Sequence, residues 1–249
     1  MSIFFCVIAP SFAKAGIYII FFLLQYHSAK ILFLERFFDI ISAVVCLEVD
    51  MKENKTLALF DFDKTITDTD TFVPFMFFSF GYFRTILVMI LLFPQALLCI
   101  AGFMSRKKFK EMFFKLTIKG WTKEKFDAVA LDFYKQKVKN YLRKPALDEI
   151  KNHLANGADV SLVSASPEDW LKPFTDEFGI NLIGTRLEIK DGRYTGNIVG
   201  SNCRKAEKVN RVKEVYDIEK YSDIYAYGDS RGDKEMLEMS NHPRFRTFD

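Results

Sequence analysis

The chain has 249 residues, enough for one medium domain with an inserted subdomain or for two small ones. Hydrophobic residues at 49% and charged residues at 27% describe a folded globular protein, and a net charge of +3 with scattered basic residues leaves no electrostatic footprint for nucleic acid. Cys6, Cys46, Cys99 and Cys203 form no CxxC pair, which argues against a zinc site or a disulfide framework and reads as reduced thiols in a cytosolic setting.

Phenylalanine is the outlier, with 27 copies concentrated in the first half. Phe-rich surfaces often meet lipid or partners. Residues 1–50 carry only seven charged side chains (Lys14, Lys30, Glu35, Arg36, Asp39, Glu48, Asp50). Their apolar runs at 17–24 and 40–47 fall short of the about 20 residues that cross a bilayer. No small-residue cleavage site follows them, which speaks against a secretory signal. Two readings stand for this leader: a hydrophobic anchor, or translated sequence upstream of a start at Met51.

Order begins at Lys55. Residues 56–60 form a short apolar run that ends in acids, the pattern of a buried parallel strand emerging at its carboxyl end. Residues 72–104 carry a single charge, Arg84, and residues 105–144 are basic and helix-prone. Pro145 opens a helix with Leu147, Ile150 and Leu154 on one stripe, stopped by Asn156-Gly157. A second strand at 160–163 runs into Ser164-Ala165-Ser166, and the next helix aligns Trp170, Phe174 and Phe178 before Gly179. Residues 181–189 and 193–199 around Asp191-Gly192 read as a hairpin. A helix turning Val209, Val212 and Val215 or Tyr216 inward follows, then a strand at 224–227 that enters Gly228-Asp229. Alternating strands and helices predict an α/β domain with a mostly parallel sheet, whose ligands sit at the carboxyl ends of the strands.

The polar residues fall at those ends. Asp61 and Asp63, two apart on an extended segment, face one way and can divide the work of nucleophile and general acid/base. An EF-hand is excluded, because Ile66 replaces the required Gly and Phe72 the terminal Glu. A solvated turn would explain a lone Asp-x-Asp, but the pair has company. Ser164 stands at the end of the second strand, before a helix whose amides can hold an anion. Lys208 lies on a later helix and can neutralise a phosphate. Gly228-Asp229-Ser230-Arg231-Gly232-Asp233 adds two acids, and Asp229 with Asp61 makes a hard oxygen site suited to Mg²⁺.

Asp61-x-Asp63-x-Thr65, then Ser164, a Lys, and Gly228-Asp229-x-x-x-Asp233 resemble, in order, the four-motif signature of the haloacid dehalogenase superfamily over residues 55–249. The resemblance implies a Rossmann-like parallel core and an aspartyl-phosphate intermediate. It also implies a helical, hydrophobic cap inserted after the first strand, with core at 51–69 and 145–249 and cap at 70–144. Asp61 would be the nucleophile and Asp63 the general acid/base. Ser164 and the lysine would bind phosphate. Asp61, Asp229 and the backbone carbonyl of Asp63 would bind Mg²⁺, with Asp233 an acidic support beside the metal. The stretch Cys203–Lys208 resembles phosphoserine-phosphatase-like members and selects Lys208, with Lys205 as runner-up, both on one helix face.

Two features bear on the substrate. Asp70 stands nine residues after Asp61, where phosphoserine phosphatases carry an acid for the substrate amine. Aligned from Phe109, Leu116 stands where those enzymes have a carboxylate-binding Arg, a departure from phosphoserine. The uncharged stretch 86–104, flanked by Arg84 and Arg106-Lys107-Lys108, is similar to membrane-associated phosphatidylglycerophosphatases of the C type. This implies a phosphatase acting on a lipid phosphomonoester at the inner, cytoplasmic face of the cell membrane. A soluble-metabolite phosphatase such as phosphoserine phosphatase, a phosphotransferase and a catalytically silent membrane-binding module are the alternatives. Because the motifs flank residues 86–104, an odd number of crossings would split the site. The expectation is therefore a helical hairpin or an interfacial helix pair, bent at Pro94.

Overall fold

The computed structural model describes residues 55–249; the leader and the alternative start at Met51 lie outside them. β1 (Lys55–Phe60) buries Leu57, Ala58, Leu59 and Phe60 completely, as a strand covered on both faces must. The chain then passes through a tight loop into α1 (Phe72–Leu91), α2 (Phe93–Ile100), α3 (Arg106–Thr117) and α4 (Lys123–Gln136), and returns through α5 (Lys144–Ala155). β2 (Asp159–Pro167), α6 (Glu168–Phe178) and β3 (Asn181–Thr185) follow. β4 (Leu187–Lys190), β5 (Arg193–Ile198), α7 (Ala206–Val215), β6 (Tyr221–Gly228), α8 (Lys234–Met239) and β7 (His242–Phe245) complete it. Five strands form one parallel sheet in the order β3-β2-β1-β6-β7, so β1 is central and its carboxyl end lies between those of β2 and β6.

The expected hairpin arm at 181–189 divides at Arg186. Its first part joins the main sheet beside β2, and only β4 pairs antiparallel with β5. Asp191 and Gly192 turn that hairpin with φ of 50° and 71°, the left-handed pair that a two-residue turn needs. α7 also departs from its expected apolar stripe. Lys208, Arg211 and Val212 face inward with Tyr216 beyond them, while Val215 is exposed, because this face looks onto polar strand ends.

The phenylalanines of the inserted helices split between two surfaces. Phe75, Phe113, Phe114, Phe126 and Phe133 are buried, and the Phe75 ring packs tilted against Trp170 of α6 with centroids 4.5 Å apart, fastening the insertion to the core. Such ring pairs contribute about 0.5–1.5 kcal/mol beyond their burial. Tyr82, Phe83, Ile90, Phe93, Ile100 and Phe103 are instead mostly exposed. α1 is long and apolar enough to cross a membrane by length and composition, but Gly81, at φ 73° and ψ 169°, kinks it. Residues 86–104 are not one helix: the chain breaks at Leu92, and Pro94 sits in the first turn of α2, where its missing N–H costs nothing. The bend thus falls close to Pro94, as expected.

Candidate active site

Asp61 leaves β1 with extended backbone, its N–H donating to Tyr227 O of β6 at 2.9 Å. The chain then turns sharply, with Lys64 at φ 62° and the Thr67 N–H closing back onto Phe62 O at 3.1 Å. That turn brings Asp63 back beside Asp61 at the mouth of a cleft of about 740 Å³. Thr71 donates to Asp63 Oδ1 through N–H (2.7 Å) and hydroxyl (2.6 Å), and the Ser166 hydroxyl donates to Oδ2 at 2.7 Å. Burial, with the Asp70 charge adding to it, raises the Asp63 carboxyl above its ordinary range despite these donors.

Lys208 is 1% exposed, and its Nζ lies 2.6 Å from each of Asp61 Oδ1, Asp233 Oδ1 and Val163 O. Three acceptors match the three donors of an ammonium. Burial alone would lower Lys208, but the two carboxylates outweigh it and hold it above its usual value. Asp233 also accepts from Ser230 N–H (3.0 Å) and hydroxyl (2.8 Å), so its carboxyl stays low although burial opposes this. Asp61 shares the one ammonium: burial pushes its carboxyl up to about 8, Lys208 pulling it down and Asp233 and Asp63 pushing it further up.

The Asp229 carboxylate has no hydrogen-bond or ion-pair partner among the described residues, its main-chain carbonyl alone accepting from Arg246 Nε at 3.2 Å. Burial and the Asp233 charge raise its carboxyl. Carboxylate oxygens of Asp61, Asp229 and Asp233 all lie within 4.8 Å of one another. An excess of oxygen donors over cations, one of them unpartnered, fits a small hard divalent cation. Asp233 is already saturated by Lys208 and Ser230, which makes it first the anchor of the lysine.

The strand ends thus bring Asp61, Asp63, Ser164, Lys208, Asp229 and Asp233 onto one cleft, with Asp70 on its exposed rim. Ser164 is buried and accepts from Ser166 N–H at 3.1 Å; β2 continues to Pro167, so Ser164 does not directly precede α6 as expected. Lys205 does not share a helix face with Lys208: it is exposed, precedes α7 at φ 57°, and lines no part of the cleft. Leu116 is 42% exposed and absent from the cleft wall, so its identity says nothing about substrate. Sequence reasoning missed Thr71, Ser166 and Lys110. Ser166 carried a signal, two residues from Ser164 on an extended strand; Thr71 and Lys110 reach the site only through the fold. Lys110 of α3 donates to Ala165 O (2.8 Å) and Asn202 Oδ1 (3.0 Å), and burial lowers it to about 8 against the pull of Asp63 and Asp70.

Comparison with known proteins agrees with this geometry. The chain is 34% identical over 209 residues to the protein CicA of Caulobacter vibrioides, covering 80% of this chain and 89% of that one. It is 30% identical to a probable phosphatase of Mycobacterium tuberculosis, over 76% of this chain and 67% of that one. A solved phosphoserine phosphatase, captured as a phospho-aspartyl intermediate analogue, shares the fold at TM-score 0.54 and 22% identity, covering 76% of this chain and 84% of that one. The family model described as haloacid dehalogenase-like hydrolase matches residues 58–238, and the chain belongs to that family.

Proposed function

We propose that this haloacid dehalogenase-type phosphatase hydrolyses a lipid phosphomonoester at the inner face of the cell membrane, through an aspartyl-phosphate on Asp61. Asp61, Asp229 and the main-chain carbonyl of Asp63 would hold Mg²⁺, with Asp233 beside them. When bound, the cation supplies positive charge that keeps Asp61 ionised and offsets the phosphoryl oxygens.

A carboxylate oxygen of Asp61 attacks phosphorus, and the bond from phosphorus to the leaving oxygen breaks. Asp63, whose raised carboxyl favours the acid form, passes a proton to that oxygen and releases the alcohol. Water then attacks the phosphoryl group while Asp63 takes its proton, which frees inorganic phosphate and restores Asp61. Ser164 and Lys208 bind the phosphoryl oxygens. Thr71 and Ser166 orient the acid throughout.

One observation carries the lipid assignment. Besides its polar residues, the cleft is lined by an apolar wall of Phe72, Val73, Ala96, Cys99 and Ile100. α2, which supplies the last three, also exposes Phe93, Leu97 and Leu98, beside the exposed Ile86, Leu87, Ile90 and Leu91 of α1. A phosphate at the floor would lead its apolar tail along this wall to a surface suited to the headgroup region. Asp70 favours a second reading, since its exposed carboxylate on the rim could take the amine of a soluble substrate such as phosphoserine.

Two measurements on the full chain test this: a screen of lipid and soluble phosphomonoesters with Mg²⁺, and flotation with anionic liposomes before and after Leu87, Leu91 and Leu98 are changed to Asp. Preferred lipid turnover, and flotation lost on substitution, are expected. Equal recovery of both proteins in the soluble fraction, with full activity on phosphoserine, would reject the lipid reading in favour of a soluble substrate.

A further inference from the structure

The basic side chains around the cleft differ in how they are used. Lys208 is locked between two carboxylates. Lys107 and Lys110 of α3 dock onto core oxygens, Lys107 on Gly200 O (2.5 Å) and Lys110 on Ala165 O and Asn202. Arg106, from the same helix, and Arg204, from the loop before α7, also line the cleft, yet neither guanidinium has a hydrogen-bond or ion-pair partner among the described residues. They belong to different walls, one inserted and one core.

Arg204 is held in place by a close approach. A Cβ on Gly232 would come within 3.0 Å of its Nε and 3.2 Å of its Cγ, so the absence of a side chain there lets Arg204 lie across the Asp229–Asp233 loop. Burial lowers Arg204 and the charge of Arg106 lowers it further, against the weaker pull of Asp233 and Glu235, so the two guanidiniums repel one another across shared space. Arg106 is exposed and Arg204 partly buried, and a ligand anion held between two like charges that face one cleft relieves their repulsion.

We infer that Arg106 and Arg204 form an anion subsite beside the phosphoryl site, so that the substrate is a phosphomonoester carrying a second acidic group, a phosphodiester or a carboxylate. Planar guanidinium forks suit either group. The inference rests on the phosphatase reading and narrows its substrate. Binding there would also bridge the inserted helices to the core.

The test has a soluble arm and a lipid arm. In the first, calorimetry with Mg²⁺ compares binding of 3-phosphonopropionate and propylphosphonate, which differ by a carboxylate and cannot be hydrolysed. In the second, kcat/KM is compared for phosphatidylglycerophosphate and phosphatidic acid in mixed micelles, which differ by a phosphodiester. The wild-type chain should prefer the doubly acidic member by about tenfold, the scale of one charge-assisted pair. Arg106→Gln and Arg204→Gln should each bring the ratio toward one, through KM in the lipid arm, and the Lys variants should keep part of it. A soluble preference without lipid turnover would leave the subsite standing and remove the lipid assignment. Wild-type ratios near one in both arms, or ratios unchanged in both Gln variants, would overturn the subsite.

Discussion

Gly228 and Asp233 approach so closely that a Cβ at 228 would stand 2.6 Å from the Asp233 Cβ. Asp233 in turn holds Lys208, and Lys208 holds Asp61. A missing side chain at the end of β6 therefore sets the position of the cation on the candidate nucleophile. Gly228→Ala should push Asp233 aside, lower stability by about 1–3 kcal/mol and reduce turnover. Urea unfolding and steady-state kinetics read the two effects; wild-type values for both would show that the loop adapts.

Asp61→Asn should leave the fold intact and lower kcat by on the order of 10³-fold or more, because an amide cannot form the acyl-phosphate. Asp63→Asn should lose on the order of 10²–10⁴-fold and build up phosphoenzyme, having lost the base that activates water. Acid-quenched labelling with a radioactive phosphomonoester separates the two. Label retained by Asp61→Asn would assign the nucleophile elsewhere.

Lys208→Met should destabilise the protein by about 3–5 kcal/mol, since it strands two buried carboxylates. Adding Asp61→Asn to it should recover part of the loss, so the two substitutions will be non-additive. Strict additivity in chemical denaturation would mean that the short Lys208–Asp61 contact is energetically idle.

Lys110 links stability to alkaline pH. Burial lowers it to about 8, from an ordinary value of 10.5. Between those values the unfolded chain holds a proton that the folded chain has released, so stability gains from rising pH at this site. The stability of the wild type relative to Lys110→Met should therefore increase from pH 8 to 10, by at most about 1.4 kcal/mol per pH unit. A neutral amine still has two N–H donors for Ala165 O and Asn202 Oδ1, so both contacts survive the proton loss. A flat difference across that range would show that Lys110 keeps its proton.

The parallel core and most of the polar set were legible in the chain because both are local. A run such as Leu57–Phe60 has no stable alternative to burial on two faces, and acids placed directly after it must emerge at a strand end. Order along the sequence was enough to bring Asp61, Ser164 and Asp229 to one edge, since parallel strands end together. The choice of Lys208 over Lys205 was decided by where α7 begins: Lys205, with its positive φ, falls outside the helix, while one turn later Lys208 points under the strand ends. The hairpin arm divided at Arg186 because β2 had a free edge for residues 181–185, and a sequence pattern does not report which edges are open. The inserted helices show the same limit. Their Phe content marks apolar surface, but only packing against Trp170 decides that Phe75 is core while Phe83 and Phe103 face outward. Arg106 and Arg204 are 98 positions apart and carry no shared pattern. Their meeting on one cleft comes from docking α3 on the core, a tertiary event that local chemistry does not encode.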